Sequence, residues 1–308
     1  MTEPSLISII TPSLNRADMI ATAIESVLAQ GYPQFEHLIV DGGSTDGTLD
    51  MLKRYPHLRL LSGKDKGVYD ALNKGIAAAH GDIIGQLNTD DHYDISAFGR
   101  VMEIFDHAPA VDAVVGGARV FEIAADGCER TIATYEPVGP GEIVYRSMVG
   151  VPIFNAWFFR HSMIERIGVF DTGYRIVADR EFMIRVALAG IVYARTEHLI
   201  YRYRQHAGSL TFNEDQTALT EVLQEHLKLI DSFCRMAGLP GKARQYMQER
   251  RTQDTLRMAA FRLHRWELNQ VWVYAREGIR SDWTWPLKFL ILACGWLFRS
   301  VSKRVSHG

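Results

Sequence analysis

Apolar and polar positions fall into blocks along the first hundred residues, and the blocks follow a fixed order. Leu6 to Ile10 is a short apolar run closed by Thr11-Pro12-Ser13, after which Asp18 to Gln30 carries apolar residues at helical spacing. The succession returns twice. Phe35 to Val40 stops at Asp41-Gly42-Gly43 before a predicted helix over about 46–54, and Leu58 to Leu61 stops at Ser62-Gly63 before one over 67–79. A fourth run, Asp82 to Leu87, stops at Asn88. Strands that alternate with helices need crossover connections, so the pattern predicts an α/β fold with a largely parallel sheet.

Beyond Val111 the pattern changes. Val111 to Val115, Ala118 to Ile123 and Thr131 to Tyr135 are short β-like runs with no long helix between them, which predicts an antiparallel extension. Helical spacing returns from Ser162 to Ala189, and a strand-like run follows through Tyr193 and Tyr201. Past Asn213 the chain reads as helical, with a break at Gly238-Leu239-Pro240-Gly241. The expected division is a domain over residues 1–213 and a C-terminal helical region over 214–308.

Composition narrows the function classes. The formal net charge of -2 provides no global field of the kind that draws a protein onto nucleic acid, so an anionic ligand must be met locally. Cys128, Cys234 and Cys294 are odd in number, far apart and never in a CxxC pair, which speaks against a disulfide framework or a thiolate metal site. Met1-Thr2-Glu3-Pro4 is not a basic stretch followed by an apolar run, so a secretory signal is not expected and the catalytic part is expected to stay cytosolic.

In an open parallel sheet the loops after successive strands share one edge, and ligands bind there. Three of the most polar, turn-rich segments follow the first, second and fourth predicted strands: residues 11–15, 41–47 and 88–91. Asp90 and Asp91 are adjacent carboxylates that repel each other unless a cation sits between them, and hard oxygen donors suit Mg²⁺ or Mn²⁺; the plainer reading is a solvated turn before a helix. Asp41 before two glycines offers an acceptor for a base N–H, or simply forms an Asx turn. Lys64 and Lys66 at a helix start fit a diphosphate, whereas Lys74 reads as a solvated surface cation. Asp179-Arg180-Glu181 opens a helical run, as a helix cap or as a general base for an acceptor hydroxyl. His206 is polar-flanked and loop-like, fit for a phosphate or metal contact or for plain solvent exposure. With no GxGxxG and no GxxxxGK[ST], a dehydrogenase or NTPase loses its main support.

Ser8 to Arg16, Val40 to Thr48, Asp65 to Gly75 and Leu87-Asn88-Thr89-Asp90-Asp91 resemble, in order and spacing, the successive motifs of family 2 glycosyltransferases. The resemblance covers roughly residues 5 to 212. It implies a GT-A fold, Rossmann-like with a mostly parallel sheet, an inverting transfer from a nucleotide-sugar donor, often a UDP-sugar, and a Mn²⁺ or Mg²⁺ cofactor. It further implies a nucleotide-binding set of Thr11, Pro12, Asn15, Asp41, Gly43, Lys66, Asn73, Asn88, Thr89 and Asp90, with Asp41 on the base and Lys66 near the diphosphate. The metal would fall to Asp90, Asp91 and His206, the proton to Asp179, and the acceptor side to Asn155, Trp157, Arg180 and Glu181. Two positions depart from the family pattern. Asn88 stands where Asp is frequent and lowers the site's charge, and Asn155 stands where His is frequent.

The implied partners are a nucleotide-sugar and a glycan or lipid-linked acceptor. A sugar nucleotidyltransferase and a non-catalytic nucleotide-sugar-binding protein are the rival readings. At the C-terminal end, Trp283-Thr284-Trp285-Pro286 leads into an uncharged run from Phe289 to Phe298, then Arg299, Lys303 and Arg304. Ten residues are too few to span a bilayer, which takes about 20. The run suits a helix lying in the interface at the inner face of the membrane, or a terminal helix packed on preceding ones, whose Phe261, Trp266, Val271 and Tyr274 need burial.

Overall fold

The structure, a computed structural model, describes residues 5–151, 153–206 and 216–292, with backbone alone for 216–219. The chain divides into two compact units, Met1–Ser147 with Val151–Phe212, and Met148–Gly150 with Asn213–Gly308.

The first unit is built on one nine-stranded sheet. In chain order its elements are β1 (Ile7–Ser13), α1 (Ile20–Leu28), β2 (Phe35–Asp41), α2 (Thr48–Leu52), β3 (Leu58–Ser62), α3 (Val68–Ala78), β4 (Ile83–Gln86), β5 (His92–Tyr93), α4 (Ala97–His107), β6 (Ala113–Ile123), β7 (Glu129–Tyr135), α5 (Ile143–Met148), β8 (Trp157–Arg160), α6 (His161–Ile167), α7 (Ala178–Leu188) and β9 (Tyr193–Arg204). The sheet order is β3-β2-β1-β4-β8-β6-β9-β5, with β7 on β6. The first four strands are mutually parallel, as the alternating blocks predict. β8 then runs antiparallel between β4 and β6.

β1 is central and covered on both faces, which explains why Ile7, Ile9 and Ile10 read as one apolar run rather than an alternation. Gly75 lets α3 lie flat on it: a Cβ there would stand 2.3 Å from Ile10 Cγ2. Ile7 and Ile9 join Phe98, Val101, Phe158 and Tyr201 in one core cluster, so α4 is held by both the parallel and the antiparallel strands.

Three elements differ from the sequence expectation. The runs divided at Gly116-Gly117 form one strand, β6, because these glycines mark close packing and not a turn. A Cβ on Gly116 would stand 2.0 Å from Ile200 Cγ1 of β9. The helical stretch over 162–189 is two helices, since Gly168 at φ +92° ends α6 and a loop leads to α7. β8 has only four residues, too few to show a period in sequence.

The second unit is helical: α8 (Gln216–Cys234), α9 (Gly241–His264), α10 (Leu268–Ser281), and a further helix beginning at residue 285. Leu223, Met258, Ala259, Tyr274, Ala275 and Trp285 form its core. Deeper still, Arg250 donates to Asp254 at 2.8 Å and bonds His226 at 2.7 Å, all three being buried. Trp266, expected to need burial, is 84% exposed because it lies in the turn between α9 and α10. Among the described residues no helix is long and apolar enough to cross a membrane. Residues 293–298 of the terminal apolar run lie outside the described residues.

Candidate active site

The ends of β1, β2 and β3 are level: Ser13 pairs with Asp41, and Asp41 with Ser62. The loops beyond them lock together through short polar side chains. Asp41 Oδ1 accepts the N–H groups of Gly43 and Ser44 at 3.0 and 2.9 Å, and the Ser44 hydroxyl donates to its other oxygen. Asn15, at φ +53°, takes the Thr45 N–H on Oδ1, while its own N–H donates to Ser44 Oγ. Gly42 is required by what passes over it, since a Cβ would stand 2.5 Å from Asp65 Oδ2. Asp65 in turn accepts the Gly67 N–H at the start of α3.

Beside these loops lies a crevice of about 320 Å³. Pro12, Ser13 and Arg16 reach it from the end of β1, Gln86, Asn88, Thr89 and Asp90 from the end of β4, and Asn155, Arg175 and Asp179 from the segment before β8 and the start of α7. Asp90 and Asp179, 89 positions apart in the chain, therefore open onto one cavity. Its volume falls in the range of small-molecule sites.

Asp90 and Asp91 are adjacent but face different surroundings. The Asp90 carboxylate lines the crevice, and its Oδ2 lies 2.7 Å from His206 Nε2. Asp91 is fully buried. Its Oδ2 accepts the Tyr201 hydroxyl at 2.6 Å and Asn88 Nδ2 at 3.0 Å, and its Oδ1 accepts the Arg204 N–H at 2.8 Å. Burial, and then the charge of Asp90, push the Asp91 carboxyl up to about 7. Asp91 thus ties the turn after β4 to β9, and the expectation that it is a metal ligand is corrected: its lone pairs are spent inside the protein. The same geometry accounts for Asn88. An amide there donates to Asp91, where a carboxylate would add a third negative charge.

Asp179 sits in the first turn of α7 with one side open to the crevice. It is not a helix cap. Burial raises its pKa above the usual carboxylate range, and the hydrogen bond from the Arg180 N–H, at 2.7 Å, together with the Arg180 charge opposes that rise without cancelling it. A carboxylate made more basic in a cleft is the property a general base requires.

Residues 8–167 match the family described as Glycosyl transferase family 2. The chain belongs to glycosyltransferase family 2. It is 33% identical over 197 residues to an uncharacterized glycosyltransferase of Mycobacterium tuberculosis, covering 61% of this chain and 71% of that one. The fold is that of S. aureus TarS 1–349 in complex with UDP-GlcNAc, with a TM-score of 0.66, 15% identity and coverage of 90% of this chain and 81% of the other. Of a longer TarS chain the present one spans about half, 49%. It is also that of the mannosyltransferase PcManGT from Pyrobaculum calidifontis in complex with GDP-Man and Mn²⁺, with a TM-score of 0.60, 18% identity and coverage of 96% and 81%.

Several residues nominated from sequence do not reach the crevice of this glycosyltransferase. Thr11 lies deeper on β1, bonded to His37 at 2.9 Å, and His37 is held neutral, its pKa lowered to about 3 by burial and the neighbouring His57. Asn15, Asp41 and Gly43 build the loop lattice; Asp41 is fully enclosed, so the direct base contact expected of it is not set up in this structure. Lys66 is absent from the lining, where the neighbouring Asp65 and Gly67 stand. Asn73 spends its amide on the Phe170 backbone, donating to its carbonyl at 2.9 Å and accepting its N–H at 3.0 Å. On the acceptor side only Asn155 lines the crevice. Trp157 is a core residue of β8, Arg180 donates to the Ser147 carbonyl, and Glu181 is buried against Arg185.

Ser13, Arg16, Gln86 and Arg175 are among the lining residues that the sequence reading did not nominate. Ser13 and Gln86 line the crevice, and among the described residues Ser13 Oγ and Gln86 Oε1 are buried with no hydrogen-bond partner, which leaves each an unpaired polar atom beside the cavity. Among the described residues no three His, Cys, Asp or Glu side chains gather as a cation site. Asp90 offers an oxygen donor that suits Mn²⁺ or Mg²⁺ when substrate phosphates and water complete the shell, and His206, bonded to it at 2.7 Å, offers an imidazole nitrogen, a softer donor, beside it.

Proposed function

We propose that this glycosyltransferase moves a sugar from a nucleotide-diphosphate donor, UDP-linked in the simplest case, to a hydroxyl of a glycan or lipid-linked acceptor, with inversion at the anomeric carbon, in cytosolic assembly of a cell-surface polysaccharide. The observation that carries this reading is that Asp90 and Asp179, distant in sequence, line one crevice. Solved structures of the same fold hold UDP-GlcNAc in one case and GDP-Man with Mn²⁺ in another, which supports a nucleotide-sugar in this crevice.

The roles follow from position. Asp90 and His206 would hold the divalent cation. When bound, it supplies Lewis-acid stabilisation of the charge that develops on the departing diphosphate. Arg16 and Arg175 line the crevice as fixed cations for the same oxygens. Ser13 Oγ and Gln86 Oε1 take the donor's hydroxyl or N–H groups. Asp179 accepts the acceptor hydroxyl's proton as that oxygen attacks, its carboxylate held by the Arg180 N–H. Asn155 amide, fixed by a 3.1 Å bond to the Tyr201 hydroxyl, faces the acceptor. A single displacement with one base gives inversion.

The test is a donor screen of UDP-, GDP- and dTDP-sugars with Mn²⁺, followed by NMR assignment of the anomeric product. A β product from an α-linked donor supports the reading. Retained configuration refutes inversion, and pyrophosphate release from a nucleoside triphosphate with a sugar phosphate refutes transferase chemistry in favour of nucleotidyl transfer.

A further inference from the structure

Two stretches of chain that line the crevice are fastened to one buried atom. Asn88 and Asp90 reach the crevice from the turn after β4, and Asn155 reaches it from the segment before β8. The Asn88 N–H donates to the Tyr201 hydroxyl oxygen at 3.3 Å, and Asn155 Nδ2 donates to the same oxygen at 3.1 Å.

Chemistry fixes the direction of every bond at this junction. A backbone N–H and an amide NH₂ can only donate, so the phenol oxygen accepts from both and its own proton goes to a third group. That group is Asp91, whose Oδ2 takes the proton at 2.6 Å and Asn88 Nδ2 at 3.0 Å. Asn88 therefore grips the junction twice, by its main chain at Tyr201 and by its side chain at Asp91. Its own Oδ1 accepts Gln86 Nε2 at 3.3 Å. The bonds run without a gap from Gln86 and Asn88 on the crevice, through the fully buried Asp91 and Tyr201, to Asn155 on the crevice again.

The junction has little room to give. The Tyr201 ring belongs to the core, edge-on to Tyr93 with ring centres 5.7 Å apart and clustered with Phe98 and Phe158. Tyr93 is tied to β4, its hydroxyl donating to the Gln86 carbonyl at 2.8 Å, and Asp91 Oδ1 is held by the Arg204 N–H at 2.8 Å. In a buried network each bond polarises the next, and none is lost cheaply. A shift of the Asn88 main chain is thus passed to the Tyr201 oxygen and on to the Asn155 amide. Among the described residues that bond is the one hydrogen bond the Asn155 side chain makes, which leaves its Oδ1 and second N–H for a ligand.

We propose that Tyr201 is a positioning residue that couples the two substrates: through its hydroxyl, a nucleotide seated at the turn of Asn88 and Asp90 sets the orientation of the Asn155 amide that meets the acceptor. Tyr201 is fully enclosed and touches neither substrate; it acts through Asn88 and Asn155. The inference deepens the donor and acceptor roles given above and rests on them.

NMR of the asparagine side chains reads this coupling without an acceptor in hand. In ¹⁵N-labelled full-length protein the Asn155 Nδ2 signals are assigned by their loss in Asn155→Ala, and the probe is UDP with Mg²⁺, or GDP or dTDP where UDP does not bind. The wild-type signals should move on saturation. In Tyr201→Phe, which keeps the ring and removes the oxygen, that displacement should fall at least about fivefold while the nucleotide dissociation constant, by calorimetry, stays within about threefold. Should Tyr201→Phe not fold, Asn155→Ala carries the test from the other end, because it leaves the buried cluster whole and should move the Asn88 backbone N–H signal that shares the Tyr201 oxygen. Asn155 signals that ignore a bound nucleotide overturn the proposal, as do signals that move equally in Tyr201→Phe or an Asn88 N–H that ignores Asn155→Ala. If calorimetry finds no binding by any of the three nucleotides, the donor reading fails and the coupling falls with it.

Discussion

His206 Nε2 lies 2.7 Å from a carboxylate oxygen of Asp90, although 116 residues separate them. The strand that delivers His206 is itself fastened to the Asp90 turn, because Asp91 takes both the Tyr201 hydroxyl and the Arg204 N–H of β9. One carboxylate of the pair therefore faces the crevice while the other sets where the facing group and the imidazole meet.

Replacing either member of the facing pair should separate metal dependence from folding. Asp90→Asn and His206→Ala are expected to raise the Mn²⁺ concentration needed for half-maximal donor hydrolysis by about 10–100-fold, with unchanged far-ultraviolet circular dichroism. Titrating Mn²⁺ against initial rate checks this.

Asp179→Asn removes the proton acceptor but keeps shape and hydrogen bonding. Turnover should fall about 10²–10⁴-fold while the dissociation constant for the donor stays within about twofold. An Asn variant of normal turnover would leave the base elsewhere.

The pH dependence of turnover follows from the raised pKa of Asp179. A base must be unprotonated, so kcat should climb with pH through an inflection above the ordinary carboxylate range, and that limb should disappear in Asp179→Asn.

Stability should depend on pH through Asp91. Its folded pKa, raised to about 7, exceeds that of the unfolded chain, so the folded state binds the proton more tightly. Below about pH 4 both states are protonated and the group is neutral in effect; between there and about 7 the unfolded chain alone releases its proton, and stability falls as pH rises. Melting temperature measured without metal should decline across that window, and the decline should shrink in Asp91→Asn.

Ser13→Ala gives opposite signs in two assays. Removing a buried hydroxyl that has no partner should leave the melting temperature unchanged or slightly raised, while donor affinity weakens by about 1 kcal/mol, roughly fivefold. Calorimetry and thermal unfolding on the same variant check both.

The parallel half of the fold was legible because each apolar run there is closed by turn residues: Thr11-Pro12-Ser13, Asp41-Gly42-Gly43 and Asn88. β8 was not, since four residues show no period and its place in the sheet depends on pairing with β4 and β6. Gly116-Gly117 misled because a glycine pair marks a turn and a close approach with the same letters, and only Ile200 decides between them. In the site, the sequence reading nominated Asp90 and Asp179, which the fold brings to one crevice, but two adjacent aspartates look alike until Tyr201 claims one of them. Ser13 and Gln86 are unremarkable residue types whose signal is an unpaired buried atom, which exists only once the chain is folded.

The most direct measurement is the thermal shift produced by a nucleotide-sugar with and without Mn²⁺ on wild type, Asp90→Asn and Asp179→Asn. The account predicts, at a Mn²⁺ concentration that just saturates wild type, a Mn²⁺-dependent rise in melting temperature for wild type and Asp179→Asn that Asp90→Asn loses, with turnover lowered in both variants. A rise that survives in Asp90→Asn, or no nucleotide-sugar that raises the melting temperature of wild type, would contradict it.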